Sequence, residues 1–415
     1  MIKKIVILTT LVLACTVYSQ EGGTSSPYSF YGIGIQQFRG TIENRAMGGL
    51  SLYSDSLHLN VINPAQLGRL RFVNFTVGGV HNGTSFEEDG NESTGTNTTF
   101  DYFALGFPVS KKGAVSFGLM PWTTVGYDIN DSNDDIINRF TGEGGVNRAF
   151  LSAGYEIYKG LYIGATGAYH FGNIQNESLR AQENVELGTL EANRTDYAGF
   201  AFELGAQYET KISKKLELRS SIQYNVASQI NSQNTRQISS VLANMIGLVT
   251  EIDTVEEIVD DSNFSLPSSV TVGLGIGEKN KWFLGGEFEQ SETSNFFNNS
   301  FRTAGVQFID SSSFRAGGFY IPNYNSITSY FERITYRAGF RYEELGLRIS
   351  SQDINEFGIS FGVGLPARRN ISNLNLTFEY GQRGTTEANL VQENFFNVGI
   401  SLSLNDVWFL KRKFN

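Results

Sequence analysis

Segments of about ten residues in which apolar side chains alternate with small or polar ones recur along this chain. They include LYIGATGAYHF (161–171), FGISFGVGL (357–365) and FFNVGISLSL (395–404). Alternation with a period of two is typical of a β-strand with one apolar face. A barrel that crosses a membrane needs this pattern, because lipid surrounds it and its lumen is polar. We therefore expect an all-β chain that folds as a transmembrane antiparallel β-barrel.

The same pattern predicts about fourteen strands, an even number of the kind found in single-chain bacterial barrels. The connections between them alternate in length, as expected when periplasmic turns are short and external loops long. The predicted strands are 70–82, 98–109, 113–126, 146–157, 161–174, 196–209, 215–229, 266–277, 281–291, 311–320, 331–343, 354–365, 373–384 and 393–404. The predicted long loops are 83–97, 127–145, 175–195, 230–265 and 292–310.

Charged residues occupy the polar face of several predicted strands and should point into the lumen. Charges removed from water must be paired or hydrated. We expect them to form a network that holds the barrel together. The set is Glu203, Arg219, Glu287, Glu289, Arg337, Arg341 and Glu379.

The first residues have the features of a secretory signal peptide, predicted to span 1–19. Lys3 and Lys4 precede a short apolar stretch, and a plausible cleavage site lies before Gln20. An alternative is a lipidated N-terminus at Cys15, the only cysteine in the chain. We expect residues 20–69 to form an N-terminal plug and residues 70–415 to form the barrel, which ends in a periplasmic tail.

Other classes of protein fit the chain poorly. Its formal net charge of −10 argues against nucleic acid as a partner. No run of apolar residues beyond residue 20 is long enough for a helical membrane span. The three histidines lack metal-ligand spacing, and no catalytic constellation can be placed. We predict a monomer of the bacterial outer membrane that is not an enzyme and has no cofactor or metal.

One predicted strand, 113–126, contains a proline that interrupts its alternating pattern. In AVSFGLMPWTTVGYDI (114–129), Pro121 stands where the next apolar residue should be. Proline cannot donate to a sheet ladder, and the nearby Gly118 weakens packing. An unpaired backbone group costs several kcal/mol in lipid unless it lines a protected or wet cavity. We expect Gly118 and Pro121 to mark a lateral opening in the wall; the alternative is a harmless proline near the outer rim.

The segment before the first strand carries two short motifs. They are Ala46-Met47-Gly48-Gly49 and Asn63-Pro64-Ala65. In this position they resemble the plug of the FadL family, outer-membrane transporters of long-chain fatty acids and other hydrophobic compounds. The paired strands at 266–290 resemble the paired-strand pattern of that family, and the end of the chain resembles its flavobacterial members. Gln66-Leu67-Gly68 departs mildly from the usual residues after the second motif.

The resemblance implies that a hydrophobic small molecule enters the lumen, the plug shifts, and the molecule leaves sideways into the membrane lipids through a kinked third strand. Apolar residues at a spacing of three to four within 230–265 favour amphipathic helices in an external loop. The family interpretation makes Leu242, Met245, Ile246 and Val249 an initial capture site. The alternative function is a FadL-like interaction subunit of the type IX secretion system, holding exported proteins at the surface. The sequence does not decide between them.

Overall fold

The computed structural model describes residues 23–53, 55–131, 135–243, 249–295, 305–367 and 372–406. The predicted signal peptide (1–19) and the C-terminal tail after residue 406 lie outside the described residues. Fourteen barrel strands are present when strands interrupted by a short break are counted as one. They are β1 (Val73–Glu88), β2 (Asn91–Pro108), β3 (Gly113–Asn130), β4 (Ile136–Tyr158), β5 (Leu161–Gln182), β6 (Gly188–Lys211), β7 (Leu216–Asn225 and Ser228–Ala243), β8 (Val249–Leu266 and Ser269–Glu278), β9 (Trp282–Ser291), β10 (Val306–Phe308 and Ser311–Tyr320), β11 (Thr335–Ile349), β12 (Gln352–Ala367), β13 (Ser372–Arg383) and β14 (Gln392–Asp406).

Each strand pairs antiparallel with its neighbours in the chain, and β14 pairs with β1 along its whole length, which closes the barrel. The predicted fold class, an antiparallel barrel of about fourteen strands, is confirmed. Among the described residues, no helix is both long and apolar enough to cross a membrane.

The two faces of the wall differ as the alternation predicts. Apolar side chains with large exposed fractions point outward, for example Leu151 (62%), Leu274 (60%) and Ile400 (51%). Inward-facing positions carry polar and charged groups that contact one another and the N-terminal residues. The seven predicted lumenal charges take part in this network. Glu203, for example, pairs with both Arg39 (3.0 Å) and Arg148 (2.8 Å).

The predicted long loops are wrong at four of the five positions, because the strands continue through them as tall hairpins. Loop 83–97, for instance, consists of the ends of β1 and β2 joined by a turn at Asp89 and Gly90, both with positive φ. Asp-Gly is a strong hairpin signal. The apolar alternation stops at the membrane boundary because no lipid contacts these extensions, so the pattern underestimates strand length.

The predicted helices in 230–265 are also wrong. Residues Ser228–Ala243 and Val249–Leu266 pair as a hairpin, and the first of them also pairs with β6. The stretch is rich in Val, Ile and Thr, which favour strands, and ladder hydrogen bonds outweigh its helical spacing. We call this end of the barrel the hairpin end, and the end with the short connections at 109–112, 159–160 and 279–281 the turn end.

The described residues within 23–72 lie against the inner faces of the strands, and we call this stretch the lumenal segment. It contains two 3-10 helices (Pro27–Phe30 and Pro64–Arg69), a two-residue strand (Ile35–Gln36) and a short α-helix (Ile42–Arg45). The segment begins in the hairpin half of the barrel and ends at the turn end, where β1 starts.

Candidate functional site

The seam between β2 and β3 is paired over only part of its length. The ladder has six residue pairs, from Pro108 with Ala114 at the turn end to Phe103 with Leu119. Beyond Leu119, β3 continues to pair with β4 and β2 continues to pair with β1, but β2 and β3 no longer pair with each other. The two strands therefore separate towards the hairpin end. We call the separation the seam gap.

Pro121 lies at the start of the seam gap. The register between β3 and β4 shifts between Pro121 and Thr123, which marks a bulge. On the turn side of the bulge, exposed Phe117 and Leu119 alternate with less exposed residues. On the other side, Trp122 to Tyr127 are all buried. The strand therefore bends away from the outer surface at the end of its apolar stretch.

Gly118 lies inside the paired part of the seam, opposite Ala104. A Cβ built on Gly118 would be 2.3 Å from the carbonyl oxygen of Phe103. Its lack of a side chain thus permits close approach of the two strands where their ladder ends.

The bend continues across the next two strands through glycines that sequence reasoning missed. Gly144 and Gly145 on β4 and Gly172 on β5 have φ values of 108°, 150° and 155°. They are neighbours in the sheet, because Gly145 pairs with Thr124 of β3 and Gly172 pairs with Val146 of β4. Glycine adopts such backbone angles without steric cost. The pair of glycines at 144–145 was the available signal, although it falls at the end of the predicted loop 127–145.

The first part of the lumenal segment occupies the seam gap. On the β3 side, Ile35 and Gln36 pair with Thr124 and Thr123, and the Gln37 amide donates to the Trp122 carbonyl oxygen at 2.8 Å. These contacts satisfy edge groups of β3 that β2 leaves unpaired.

The same stretch contacts β2 at the other side of the seam gap. The Asn97 side chain donates to the carbonyl oxygen of Gly23 at 2.8 Å, and a Cβ built on Gly95 would lie 2.8 Å from the Cβ of Ser25. Residues 23–37 therefore bridge the two separated strands, and we call them the seal.

The motif at 46–49 forms a tight turn in the middle of the barrel. Gly48 and Gly49 have positive φ (69° and 86°), and the Gly48 amide donates to the Ser360 hydroxyl at 2.9 Å. A Cβ on Gly48 would lie 2.6 Å from the Phe340 carbonyl oxygen. Ala46 and Met47 are buried beside it. The predicted residues are thus brought together where the segment touches β11 and β12.

Arg45, next to this turn, is the main charged anchor of the segment. Its guanidinium pairs with Asp101 of β2 (3.0 Å) and Glu379 of β13 (3.1 Å), and all three side chains are buried. Asp101 reaches the lumen because it is the extra residue at a register shift opposite Gly78 and Gly79. Removing one member of such a network leaves buried charge unpaired.

The second motif starts the 3-10 helix at the turn end. The Asn63 side chain caps this helix by accepting from the Ala65 amide at 3.1 Å, and Pro64 occupies its first position. Beneath the motif lie Gly154, Gly164 and Gly205, one from each of β4, β5 and β6, which pair directly with one another. A Cβ on any of them would come within 2.3 Å of Asn63 or Pro64. Three small residues in register thus form a flat seat for the motif.

A cavity of about 330 Å³ adjoins the seal on its lumenal side. Apolar side chains from the seal and the wall contribute part of its lining, among them Ile33, Trp122 and Leu347. Several arginines and glutamates of the lumenal network contribute the rest, including Arg39, Arg315 and Glu289. The space next to the seam gap is therefore amphipathic rather than purely apolar.

Two of the four residues predicted to capture ligand, Leu242 and Val249, lie near the ends of the paired strands β7 and β8. Leu242 is 44% exposed and pairs with Thr250, and Val249 pairs with Ala243. Met245 and Ile246 lie outside the described residues. The capture role of these four residues stays a prediction.

The histidines are widely separated in the fold. His58 bonds Asp55 (2.6 Å) at the turn end, His81 bonds Thr98 (2.9 Å), and His170 packs edge-on against Trp122. Within the described ranges, no three His, Cys, Asp or Glu side chains are grouped as metal ligands would be.

Solved structures of other proteins share this architecture. The folds of several solved structures are similar: the CymD monoaromatic hydrocarbon channel (TM-score 0.60, 14% identity, 88% of this chain and 97% of that chain), the toluene transporter TbuX of Ralstonia pickettii (0.58, 15%, 89% and 99%) and a FadL homologue of Pseudomonas aeruginosa (0.54, 11%, 89% and 98%). At these identities the likeness concerns the fold.

No curated protein matches the chain. A family model does, and the match to the model named BamG covers residues 1–415. Together with the closed barrel and its apolar outer surface, these matches indicate a bacterial outer-membrane protein. The chain belongs to the BamG family, and its fold is that of the FadL-type outer-membrane barrels.

Proposed function

We propose that this chain passively conducts hydrophobic small molecules, such as long-chain fatty acids, across the outer membrane. The molecule enters the lumen from the hairpin end, passes the seal and leaves sideways between β2 and β3. The observation that carries the proposal is the ladder of six pairs beside Pro121, with residues 23–37 bridging the rest of the seam. Similar folds belong to proteins described as a monoaromatic hydrocarbon channel and a toluene transporter.

The seam gap needs a seal because its unpaired backbone groups would otherwise face lipid. Backbone groups left unpaired next to lipid cost several kcal/mol each. At rest the seal supplies hydrogen bonds to the edge of β3. Partition of an apolar ligand into the membrane, worth about 0.8 kcal/mol per buried methylene, drives the transfer without another energy source. The lumenal segment thus acts as a plug whose first part moves and whose middle, around Arg45, stays anchored.

Uptake by cells tests the proposal. Cells that lack this protein would be given wild type, Pro121→Val or Pro108→Val, and uptake of labelled oleate and toluene would be measured. Valine at position 121 restores a backbone donor and should reduce uptake several-fold, because it favours a straighter β3. Pro108→Val lies in the paired part of the same seam and should behave as wild type. Uptake that is unchanged by loss of the protein would exclude transport of these compounds.

Capture at the hairpin end is a second part of the proposal. Leu242, Met245, Ile246 and Val249 would hold the ligand weakly before it enters the barrel. Leu242→Asp should raise the oleate concentration needed for half-maximal uptake without lowering the maximal rate. The matched control is Val185→Asp, an exposed apolar residue in a neighbouring hairpin connection. An equal effect of both variants would contradict a specific capture role.

A second candidate function is an interaction subunit that holds exported proteins at the surface. One observation favours it: within the described residues, the outer part of β8 (Val249–Leu266) pairs only with β7, and residues 250–261 are exposed. An exposed strand edge can accept an extended peptide. This one carries six acidic residues and no Lys or Arg. Its partner would therefore be a basic, extended segment of an exported protein.

Binding of a labelled Lys-rich peptide of high β-propensity tests this alternative. Binding should weaken with salt and with Glu256→Lys/Glu257→Lys on the edge of β8. The control, Glu87→Lys/Glu88→Lys, changes the same charge on the hairpin of β1 and β2. If both double variants bind alike, the β8 edge is not the contact.

A further inference from the structure

A second cavity, of about 450 Å³, lies at the turn end of the barrel, away from the seam gap. Residues 53 and 55–60 of the lumenal segment form one side of it. The connection 321–334 and the starts and ends of neighbouring strands form the other, with Lys279, Pro366 and Asn373 at its margin. Its volume is in the range of small-molecule sites, which is about 300–1,000 Å³.

The charge of the lining is strongly one-sided. Two carboxylates, Glu43 and Asp55, line the cavity. Six permanently cationic side chains face them: Arg69, Arg71, Arg219, Lys279, Arg333 and Arg337.

The two carboxylates are engaged with neutral partners or with histidine. Glu43 accepts from the side chains of Asn375 (2.8 Å) and Ser403 (3.1 Å), while Asp55 bonds His58. Two of the arginines are neutralised from outside the cavity, since Arg69 and Arg219 both pair with Glu209. The cationic excess therefore concentrates on the remaining side chains.

Among the described residues, Arg337 and Arg71 have no carboxylate at ion-pair distance, although Glu43 and Asp55 lie near enough to Arg337 to attract it. Arg337 is only 7% exposed, and its guanidinium donates to the neutral Asn375 side chain at 3.2 Å. Arg71 donates to the carbonyl oxygens of Gly68 and Leu70. Across the part of the chain that the structure describes, neither forms an ion pair with a carboxylate. A buried cation without a partner is costly.

We propose that this cavity binds an oxyanion, a carboxylate or phosphate group, between Arg337 and Arg71. Arginine presents several N–H donors in a planar fork that matches both groups. Aromatic and apolar side chains next to them, including Tyr53, Phe319 and Ile321, offer a surface for an attached hydrocarbon portion. The ligand is thus either a free small oxyanion or the head group of an anionic amphiphile. The site does not depend on the lateral route, because it lies at the opposite end of the lumenal segment from the seal.

Binding to the purified, folded full-length protein in a non-ionic detergent tests the site. Isothermal titration would compare inorganic phosphate, octanoate and octanol. Octanoate should bind, and Arg337→Gln or Arg71→Gln should weaken it at least tenfold. Arg194→Gln is the control, since that exposed side chain pairs with Asp196 far from the cavity. Folding of each variant would be checked by its faster migration on gels without heating, and Arg71→Gln suffices if Arg337→Gln fails to fold.

The outcomes separate the two sources of the anion. Binding of both phosphate and octanoate with the same dependence on the arginines identifies a free oxyanion, and binding of octanoate alone identifies an amphiphile head group. Octanol that binds as tightly as octanoate, affinity that is the same in all variants, or no binding of either anion would each overturn the proposal. Uptake in the Pro121→Val cells is a separate readout, so either proposal can fail without the other.

Discussion

Two seams of the same wall behave differently. Between β4 and β5 the ladder runs from Tyr158 at the turn end to Ile136 at the tip of the hairpin. Between β2 and β3 it stops at Leu119, although both strands continue. Both seams share the same outward apolar alternation near the turn end. The difference arises from Pro121 and from the glycines that bend β3, β4 and β5 together. A barrel can therefore keep its strand number and closure while opening one seam locally.

The N-terminal residues run along the seam gap because the backbone groups at its edges need hydrogen-bonding partners. The intact seam satisfies its own backbone groups, whereas the seam gap needs donors and acceptors from elsewhere. Residues 23–37 supply them. We therefore expect changes in the seal to affect the seam gap most. Changes in the glycine bend should have a smaller effect, and changes at the turn end the smallest.

The largest expected effect comes from pushing the seal out of the seam gap. A Cβ on Gly126 would lie 1.9 Å from the Thr24 carbonyl oxygen, so Gly126→Val should displace residues near Thr24. We expect cells that carry this variant to become several-fold more permeable to a hydrophobic dye. Gly167→Val is the control, because the nearest heavy atom to a Cβ there is 3.8 Å away. Equal permeability of the two variants would show that the seal does not close the wall.

A smaller effect is expected from stiffening the bend. Gly145 has a φ of 150°, and a Cβ there would lie 2.3 Å from the Thr123 carbonyl oxygen. Gly145→Ala should lower the free energy of unfolding by about 1–3 kcal/mol, the usual cost of a strained backbone position. Unfolding by urea in lipid vesicles would measure it, with Gly286→Ala, whose Cβ would have a 3.6 Å contact, as the control. If Gly145→Ala and Gly286→Ala are equally destabilised, the backbone at Gly145 is not strained by a side chain and the bend does not explain the seam gap.

The smallest effect is a pH dependence at the turn end, which should leave the seal unchanged. Burial alone would lower the pKa of His58, but the adjacent Asp55 carboxylate outweighs it and raises that pKa above its usual value. The interaction therefore stabilises the fold below about pH 6.5, the ordinary histidine pKa, and is lost as the pH rises through the raised value. Urea midpoints of wild type should exceed those of His58→Asn at pH 5.5, and the difference should shrink by pH 9. A difference that grows with pH would contradict this assignment.

Much of the barrel could be predicted from the sequence because lipid imposes a strict rule on one face of each strand. Leu151, Leu274 and Ile400 follow that rule, and their strands were predicted. Outside the membrane this rule does not apply, so the sequence predicts loops or helices for hairpin extensions such as Ser228–Ala243. Turn chemistry, as at Asp89-Gly90, was the signal that remained there.

The candidate site was predictable in part. Pro121 stands out in a strand because it has no amide hydrogen, and a local rule suffices to notice it. The partners of the seal could not be predicted, since the contacts of Gly23 with Asn97 or of Gln37 with Trp122 join residues distant in sequence. The seat formed by Gly154, Gly164 and Gly205 depends on strand register, which spacing alone does not determine.

The most direct test of the account locks the seal into the seam gap. The double variant Ser25→Cys/Gly95→Cys would tie the seal to β2, where the two Cβ atoms would be 2.8 Å apart before adjustment. Ser152→Cys/Thr166→Cys would tie β4 to β5 across the intact seam, where the two hydroxyl groups are 2.8 Å apart. Uptake of labelled oleate would be measured in cells before and after a reducing agent. The account predicts that the first lock blocks uptake until it is reduced and that the second has no effect. Full uptake with the first disulfide formed would contradict lateral exit past the seal.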